Sequence, residues 1–245
     1  MRNTLLRGYV ALEKSLAPGL QHAQDHYADV LESVVAPGIR WLDVGCGHQL
    51  MPAWLLKRER ALVAKASVVV GMDPLVEPMR IHHSLHTFAA GDMSALPFAD
   101  ASFDLVTCNM VVEHLKEPEV QFREVRRVLR PGGRFAFHTP NATGYFVRAV
   151  KLVPEPLRMP LAWLLDGRPK EDIFPTFYRA NDRDGLAALA ARSGFRVQAV
   201  HLVESVAVTQ VLLPVAALEL LLIRALMRPG RERWRSNLIG VLEAS

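Results

Sequence analysis

Through the middle of the chain, apolar runs of strand length alternate with segments in which apolar residues recur every three or four positions. That alternation is the pattern of repeated strand–helix units and a parallel sheet. "RWLDVG" (40–45) predicts a first strand, and "SVVVGMD" (67–73) a second after a helix around "MPAWLLKRERALVAK" (51–65). "HTFAAGD" (86–92) predicts a short third strand, and "SFDLVTCNMV" (102–111) a fourth that carries polar Asn109 near its end. In "EPEVQFREVRRVL" (117–129), Val120, Phe122, Val125, Val128 and Leu129 are expected to form the buried stripe of a helix. "RPGG" (130–133) is expected to stop it, since proline cannot continue a helix and glycine favours its exit. "RFAFHTPN" (134–141) then alternates as a fifth strand.

Periodicity weakens from Asn141 to Ala180, where prolines and aromatics crowd together, as expected of an inserted cap rather than a sheet unit. "DRDGLAALAARSGF" (182–195) predicts a helix ended by Gly194, followed by a strand at "RVQAVHLVE" (196–204). A strongly apolar helix at 206–227 and a last strand at 236–244 complete the pattern, and the first 39 residues read as one or two leading helices.

A chain of 245 residues, half of them hydrophobic, can bury one sizeable core. The net charge is +4, but both signs are interspersed until "RPGRERWR" (228–235), so no broad footprint for nucleic acid emerges. The two cysteines, Cys46 and Cys108, fall in apolar strand ends, which argues against a disulfide framework and for a reducing, cytoplasmic setting. No apolar run near the N-terminus has the form of a secretory signal. The 206–227 segment is interrupted by Pro214, Glu219 and Arg224, and its uncharged part is shorter than the roughly 20 residues of a spanning helix. It is expected to be buried or to lie on a surface.

The chemistry starts at "RWLDVGCGHQL" (40–50), a strand running into an acid and a glycine turn. In a parallel sheet ligands bind at the carboxyl ends of strands, where such turns let backbone approach them closely. A dinucleotide fingerprint would place a further glycine at position 50, which is Leu50, and an acid nearer than Asp73. That weakens a nicotinamide-dependent reading.

Five motifs in order, "LDVGCG" (42–47), "VVGMD" (69–73), "GDMSALPFADASFDLV" (91–106), "VVEHL" (111–115) and "EVRRVLRPGGRF" (124–135), resemble the class I S-adenosylmethionine-dependent methyltransferases, in the broad group that includes ubiquinone and menaquinone methyltransferases. The resemblance implies a Rossmann-like α/β fold: a seven-stranded, mostly parallel sheet with an antiparallel last strand and helices on both faces. It implies one domain, with N-terminal helices (1–39), a cofactor-binding half (40–140), an inserted substrate cap (141–181) and C-terminal helices with the last two strands (182–245).

It also implies roles for particular residues. Asp43 would organise contacts to the amino group of S-adenosylmethionine, and Gly45, Cys46 and Gly47 would offer backbone to its methionine and ribose. Asp73 would accept from both ribose hydroxyls. Asp92 would accept from the adenine amino group beside the backbone of Met93, and Asn109 would face the methyl and the acceptor. The chain departs from the fuller glycine pattern at Gln49.

Methyl transfer from a sulfonium needs alignment more than activation, and a base only where the nucleophile starts protonated. His114, Glu113, His138 and Tyr178 are the candidate bases, with His114 placed first, although a histidine there also serves to fix the start of the next helix. Tyr145, Phe146, Trp163, Phe174, Phe177 and Tyr178 are candidate pocket residues, of which Tyr178, Phe177 and Tyr145 are singled out for substrate; a satellite core would use the same residues. His26 and Tyr27 are placed where they could close over the cofactor. His82 and His86 are spaced like metal ligands but lack an accompanying acid or cysteine, so no metal is expected. The expected function is methylation of a small-molecule acceptor, oxygen favoured, with no nucleic-acid partner. The alternatives are a membrane-associated lipid or quinone methyltransferase, touching the bilayer through 206–235, and a non-catalytic protein that binds the cofactor.

Overall fold

The computed structural model describes residues 2–154, 156–157 and 174–245. They form two compact units, one drawn from 1–23, 140–175 and 202–237, the other from 24–139, 176–201 and 238–245.

The larger unit is organised by a seven-stranded sheet. Its strands are β1 (Arg40–Val44), β2 (Val68–Asp73), β3 (Phe88–Ala90), β4 (Phe103–Asn109), β5 (Leu129–Pro140), β6 (Phe195–Val203) and β7 (Asn237–Ala244), in the spatial order β3-β2-β1-β4-β5-β7-β6. Strands β1 to β5 pair in parallel, and antiparallel pairing is confined to the last strands. Strand order reverses between β1 and β4, which opens a crevice at their carboxyl ends where ligands of such sheets bind. The expected Rossmann-like α/β architecture is the one observed.

Central parallel strands are covered on both faces, so they read as apolar runs. Trp41, Leu42, Leu105, Val106, Phe135 and Phe137 are buried accordingly. Phe122 of α5 (Pro118–Val128) meets Phe135 edge-on, with ring centroids 5.3 Å apart. Val125 and Val128 join it in the core, but Val120 is 44% exposed. The predicted stripe was too wide: two residues before Phe122 is a rotation of about 200° on a helix, which turns Val120 to solvent.

"RPGG" does not form a separating turn. Strand β5 already begins at Leu129, and the register slips there: Leu129 pairs with Phe103 and Arg134 with Leu105. The extra residues form an irregularity within the strand, made possible by Gly132 at φ +75°. The helix after β1 is also shorter than predicted, a 3₁₀ turn (Ala53–Leu55) leading into α3 (Leu56–Val63). Asp182 caps α7 (Arg183–Arg192) by accepting from the Gly185 N–H at 2.8 Å, and Gly194 follows it at φ +78°.

The smaller unit contains α1 (Arg2–Leu16), α6 (Tyr145–Leu152) and α8 (Leu213–Leu226). Tyr9 and Ala17 pack in one cluster with Ala207, Ala216, Leu220 and Ile223. The apolar helix predicted over 206–227 starts only at Leu213, because Pro214 occupies its first turn, where a missing N–H costs nothing. Glu219 turns inward, accepting from the Tyr145 hydroxyl at 2.9 Å and from the backbone of Val208 and Thr209 at 3.0 and 2.9 Å. No helix among the described residues is long and apolar enough to cross a membrane.

Gly240 of β7 lies under the Phe137 ring, where an added Cβ would sit 2.5 Å from a ring carbon. Gly240→Ala should therefore destabilise the protein by about 1–3 kcal/mol through overpacking, read as a lower urea midpoint at unchanged slope.

Candidate active site

Asp43, next to last in β1, is 3% exposed. The Trp41 indole N–H donates to the Thr107 hydroxyl at 2.6 Å, and that hydroxyl donates in turn to the Asp43 carboxyl. Burial pushes the Asp43 carboxyl up to about 8; the Thr107 bond opposes this, and the charges of Glu59 and Asp73 add to it. Glu59 of α3 is wholly buried, with one oxygen accepting from Met51 N–H at 2.8 Å and the other, Oε1, without a hydrogen-bond partner.

The turn after β1 closes on β2. Gly45 and Cys46 both donate backbone N–H to the Met72 carbonyl, at 2.7 and 3.1 Å. Gly45 (φ +72°) and Gly47 (φ +49°) hold left-handed backbone that only glycine adopts freely. A Cβ at Gly45 would run into Val111, whereas Gly47 faces open space. The Cys46 thiol is buried and packs towards Gly71, so this residue can offer a ligand backbone only. Cys46 and Cys108 are both free and buried.

Asp73, at the end of β2, is tied into the same turn. One carboxylate oxygen accepts from Gly47 N–H at 3.0 Å and the other from Leu75 N–H at 2.9 Å. A carboxylate oxygen has capacity for a second bond, so both can still accept. Beyond β3, Asp92 is exposed and accepts from Ser94 N–H at 2.8 Å, with Met93 buried beside it.

Asn109 ends β4 with its amide fully engaged. Its Nδ2 donates to the Leu50 carbonyl and to Gln24 Oε1, both at 3.0 Å, and its Oδ1 lies 2.9 Å from His138 Nδ1. The Leu50 carbonyl can only accept, which fixes the amide orientation and makes His138 Nδ1 the donor. His138 itself is 2% exposed. The next residue, Met110, carries φ +60°, a strained conformation for a side chain of that kind.

Glu113 and His114 follow on a short 3₁₀ turn (Val112–His114). The Glu113 carboxylate is buried and accepts from the Thr139 hydroxyl at 2.8 Å, while Asn181 donates to that hydroxyl at 2.6 Å. His114 is part-exposed, with Nε2 3.8 Å from Glu113 Oε1. Phe177 and Tyr178 both aim backbone N–H at the Glu113 carbonyl, at 2.7 and 3.3 Å, and Tyr178 adopts φ +52°. Burial raises the Tyr178 phenol above its ordinary range. Tyr145 belongs to the other unit, where its hydroxyl is engaged by Glu219; Trp163 lies outside the described residues.

Tyr27 is a core residue, 1% exposed, with its hydroxyl donating to the Cys108 carbonyl at 3.3 Å. His82 uses Nδ1 to accept from Ser84 and Leu85 N–H, both at 3.1 Å, and burial pushes it down to about 4. It lines a cavity of about 300 Å³ with Met79, Leu85, His86 and Phe88.

Several residues of the site escaped the sequence reading, Thr139 and Asn181 among them. Glu59 left a signal, since it stands at i+4 between Leu55 and Leu62, in the buried stripe of its helix. Thr107 left a weaker one, a polar residue inside the apolar run of β4. Gln24 left none, because its partner stands 85 residues away.

Comparison with known proteins shows what the chain is similar to. Residues 42–137 match the family model of a methyltransferase domain. Over 123 residues the chain is 34% identical to a malonyl-[acyl-carrier protein] O-methyltransferase of Erwinia pyrifoliae, covering 49% of this chain and 45% of that protein. Over 120 residues it is 32% identical to a ubiquinone biosynthesis O-methyltransferase of Xanthomonas campestris, covering 46% and 48%. The chain thus spans about half the length of these relatives. The crystal structure of an S-adenosylmethionine-dependent methyltransferase from Mesorhizobium loti has the same fold, with a TM-score of 0.55 at 20% identity, over 90% of this chain and 99% of that one. Residues 42–137 are thus similar to a methyltransferase domain, and the fold is that of a solved S-adenosylmethionine-dependent methyltransferase.

S-adenosylmethionine is the cofactor of this class, and the residues present fit it. A buried carboxyl and an orphaned carboxylate oxygen suit its cationic amino group, a glycine turn open at Gly47 admits it, and a strand-end carboxylate with spare acceptor capacity suits a diol.

The raised pKa of Asp43 has a definite sign. The folded protein holds a proton that the unfolded chain, with a pKa near 3.8, releases, so the contribution of Asp43 to stability is fully present below about 4 and declines as pH rises towards 8. Urea midpoints measured across that interval should show a downward component in the wild type that Asp43→Asn removes.

Proposed function

We propose that this chain is an enzyme that transfers the methyl group of S-adenosylmethionine to an oxygen of a small-molecule acceptor. The observation that carries the reading is the convergence of a buried carboxyl (Asp43), a two-glycine turn and a strand-end aspartate (Asp73) at the carboxyl edge of the sheet, within a methyltransferase domain. Both relatives described above are named O-methyltransferases, which supports oxygen as the acceptor atom.

Asp43 holds the cofactor's amino group, and the nearby Glu59 carboxylate adds negative potential to the same place. Gly45, Cys46 and Gly47 contribute backbone, Asp73 accepts from the ribose hydroxyls, and Asp92 with the backbone of Met93 recognises the adenine edge. Bound, the cofactor supplies a methyl group already activated by its sulfonium leaving group. The protein's part is then to orient the acceptor, exclude water and take a proton.

Asn109, clamped by Gln24 and the Leu50 carbonyl, borders the reacting region and positions His138 rather than moving during turnover. His114 is the general base for a hydroxyl acceptor. Its part-exposed ring can reach substrate, and the Glu113 carboxylate 3.8 Å away stabilises the imidazolium that proton uptake creates. The Thr139–Asn181 brace keeps that carboxylate in place. Phe177 and Tyr178, anchored on the Glu113 carbonyl, contribute an apolar wall on the acceptor side.

Titration calorimetry with S-adenosylhomocysteine tests the cofactor site. The wild type should bind in the micromolar range, and Asp73→Ala should weaken binding by about a hundredfold, the loss of two hydrogen bonds to a charged group. A folded wild type that does not bind would refute the proposal. Once an acceptor is found by screening phenolic and other hydroxyl compounds, His114→Gln should lower turnover by about 10²–10⁴ with cofactor binding intact. The acid limb of the pH profile should disappear in the same variant, and an unchanged profile would remove His114 from the base role.

A further inference from the structure

Helix α8 of the smaller unit is apolar on two sides. Ala216, Leu220, Ile223 and Leu226 are buried in the cluster shared with Tyr9 of α1. The other side remains in solvent: Val215, Leu218, Leu221 and Leu222 are 45, 69, 47 and 43% exposed, and Val211 and Leu212 just before the helix are 39 and 41% exposed. Val215, Leu218 and Leu222 follow one another at spacings of three and four within the helix, which aligns them as one stripe. On α1, Leu6 and Val10 are exposed at a spacing of four as well. Single exposed leucines need no explanation, but an aligned group of this size does.

The exposed charge around this stripe is mainly positive. Arg224 and Arg228 stand three and seven residues after Leu221, along one flank, and Arg231 and Arg233 follow, all four exposed. Arg148 of α6 and Arg233 both stack on the Trp234 ring, each 4.7 Å from its centroid. Two acids lie nearby, one turned inward and one, Glu232, 3.9 Å from Arg235, so the four exposed arginines leave a positive excess. Glu219 is turned inward onto Tyr145, Val208 and Thr209, and Glu232 accepts from Gly230 N–H at 3.0 Å. An apolar stripe bordered by arginines and a tryptophan is the composition of a helix lying in the headgroup region of an anionic bilayer, where arginine stems snorkel and indole rings settle.

We propose that α8 and the arginine-rich segment after it dock this protein onto an anionic phospholipid surface, with the Val215–Leu218–Leu222 stripe inserted and the arginines on the lipid phosphates. The inference goes beyond methyl transfer and does not depend on it.

Co-sedimentation of the full chain with vesicles of phosphatidylcholine, alone or doped with phosphatidylglycerol, tests this. Binding to the doped vesicles should exceed binding to neutral ones by about tenfold or more and fall as salt is raised. Leu218→Ser with Leu222→Ser should reduce it by about tenfold or more, and Arg224→Glu with Arg228→Glu should abolish the preference for anionic lipid. These side chains are exposed, so circular dichroism should show unchanged folding. No binding to anionic vesicles at low salt would overturn the proposal, as would binding indifferent to both double variants. Sedimentation velocity run in parallel covers the other occupant: a self-associated wild type that Leu218→Ser/Leu222→Ser renders monomeric, without lipid binding, would make the stripe a contact between copies and refute the membrane assignment.

Discussion

A carboxyl group buried at the end of a strand needs a partner that is both close and immobile, and Asp43 obtains one from the neighbouring strand. Thr107 lies opposite it in the parallel register of β1 and β4, and its hydroxyl accepts from the Trp41 indole, which can only donate, while giving its own proton to Asp43. A slip of one residue between these strands would turn Thr107 to the other face and leave the carboxyl without its donor. The pairing therefore ties the register of the central strands to the electrostatics of the crevice. The glycine turn depends on the same alignment, since Gly45 and Cys46 bond the Met72 carbonyl and Gly47 bonds Asp73 only if β2 is in step with β1.

Two kinds of support surround this edge. At the ends of β1 and β2 the groups are carboxyls, held by backbone N–H donors or by a single hydroxyl and left with acceptor capacity. At the ends of β4 and β5 the polar groups brace one another, Gln24 with Asn109 and His138, and Glu113 with Thr139 and Asn181. Fully engaged networks of this type are stiff, because loosening one member strands a buried partner. Positive φ values at Met110 and Tyr178, next to Asn109 and beside the Glu113 carbonyl, show that the backbone here is held away from its relaxed conformation. Such strain is tolerated where surrounding contacts determine it.

Much of this was legible in the sequence. The strands, their order of occurrence and the acids at the ends of β1 and β2 are local features, set by apolar spacing and by glycine. Errors arose where a rule of spacing met a longer-range demand. Val120 counted as apolar but faces solvent; α5 does end just before "RPGG", as expected, but the fifth strand already begins at Leu129 and absorbs those residues, its pairing with β4 continuing on both sides. Pro214 counted as an interruption and instead begins α8.

By itself the sequence determined the alternating α/β architecture and the glycine turn flanked by strand-end aspartates, because hydrophobic period, turn chemistry and strand termini are encoded within a few residues. Only the tertiary structure decided which polar groups meet and which side chains are exposed: that Glu59 is buried with an unpartnered oxygen, that Gln24 clamps Asn109, and that Glu219 faces inward while Leu218, Leu221 and Leu222 face out. The physical reason is the same in each case. A side chain's state of solvation and its hydrogen-bond partners are set by groups brought together from distant parts of the chain, and one-dimensional spacing carries no record of that meeting.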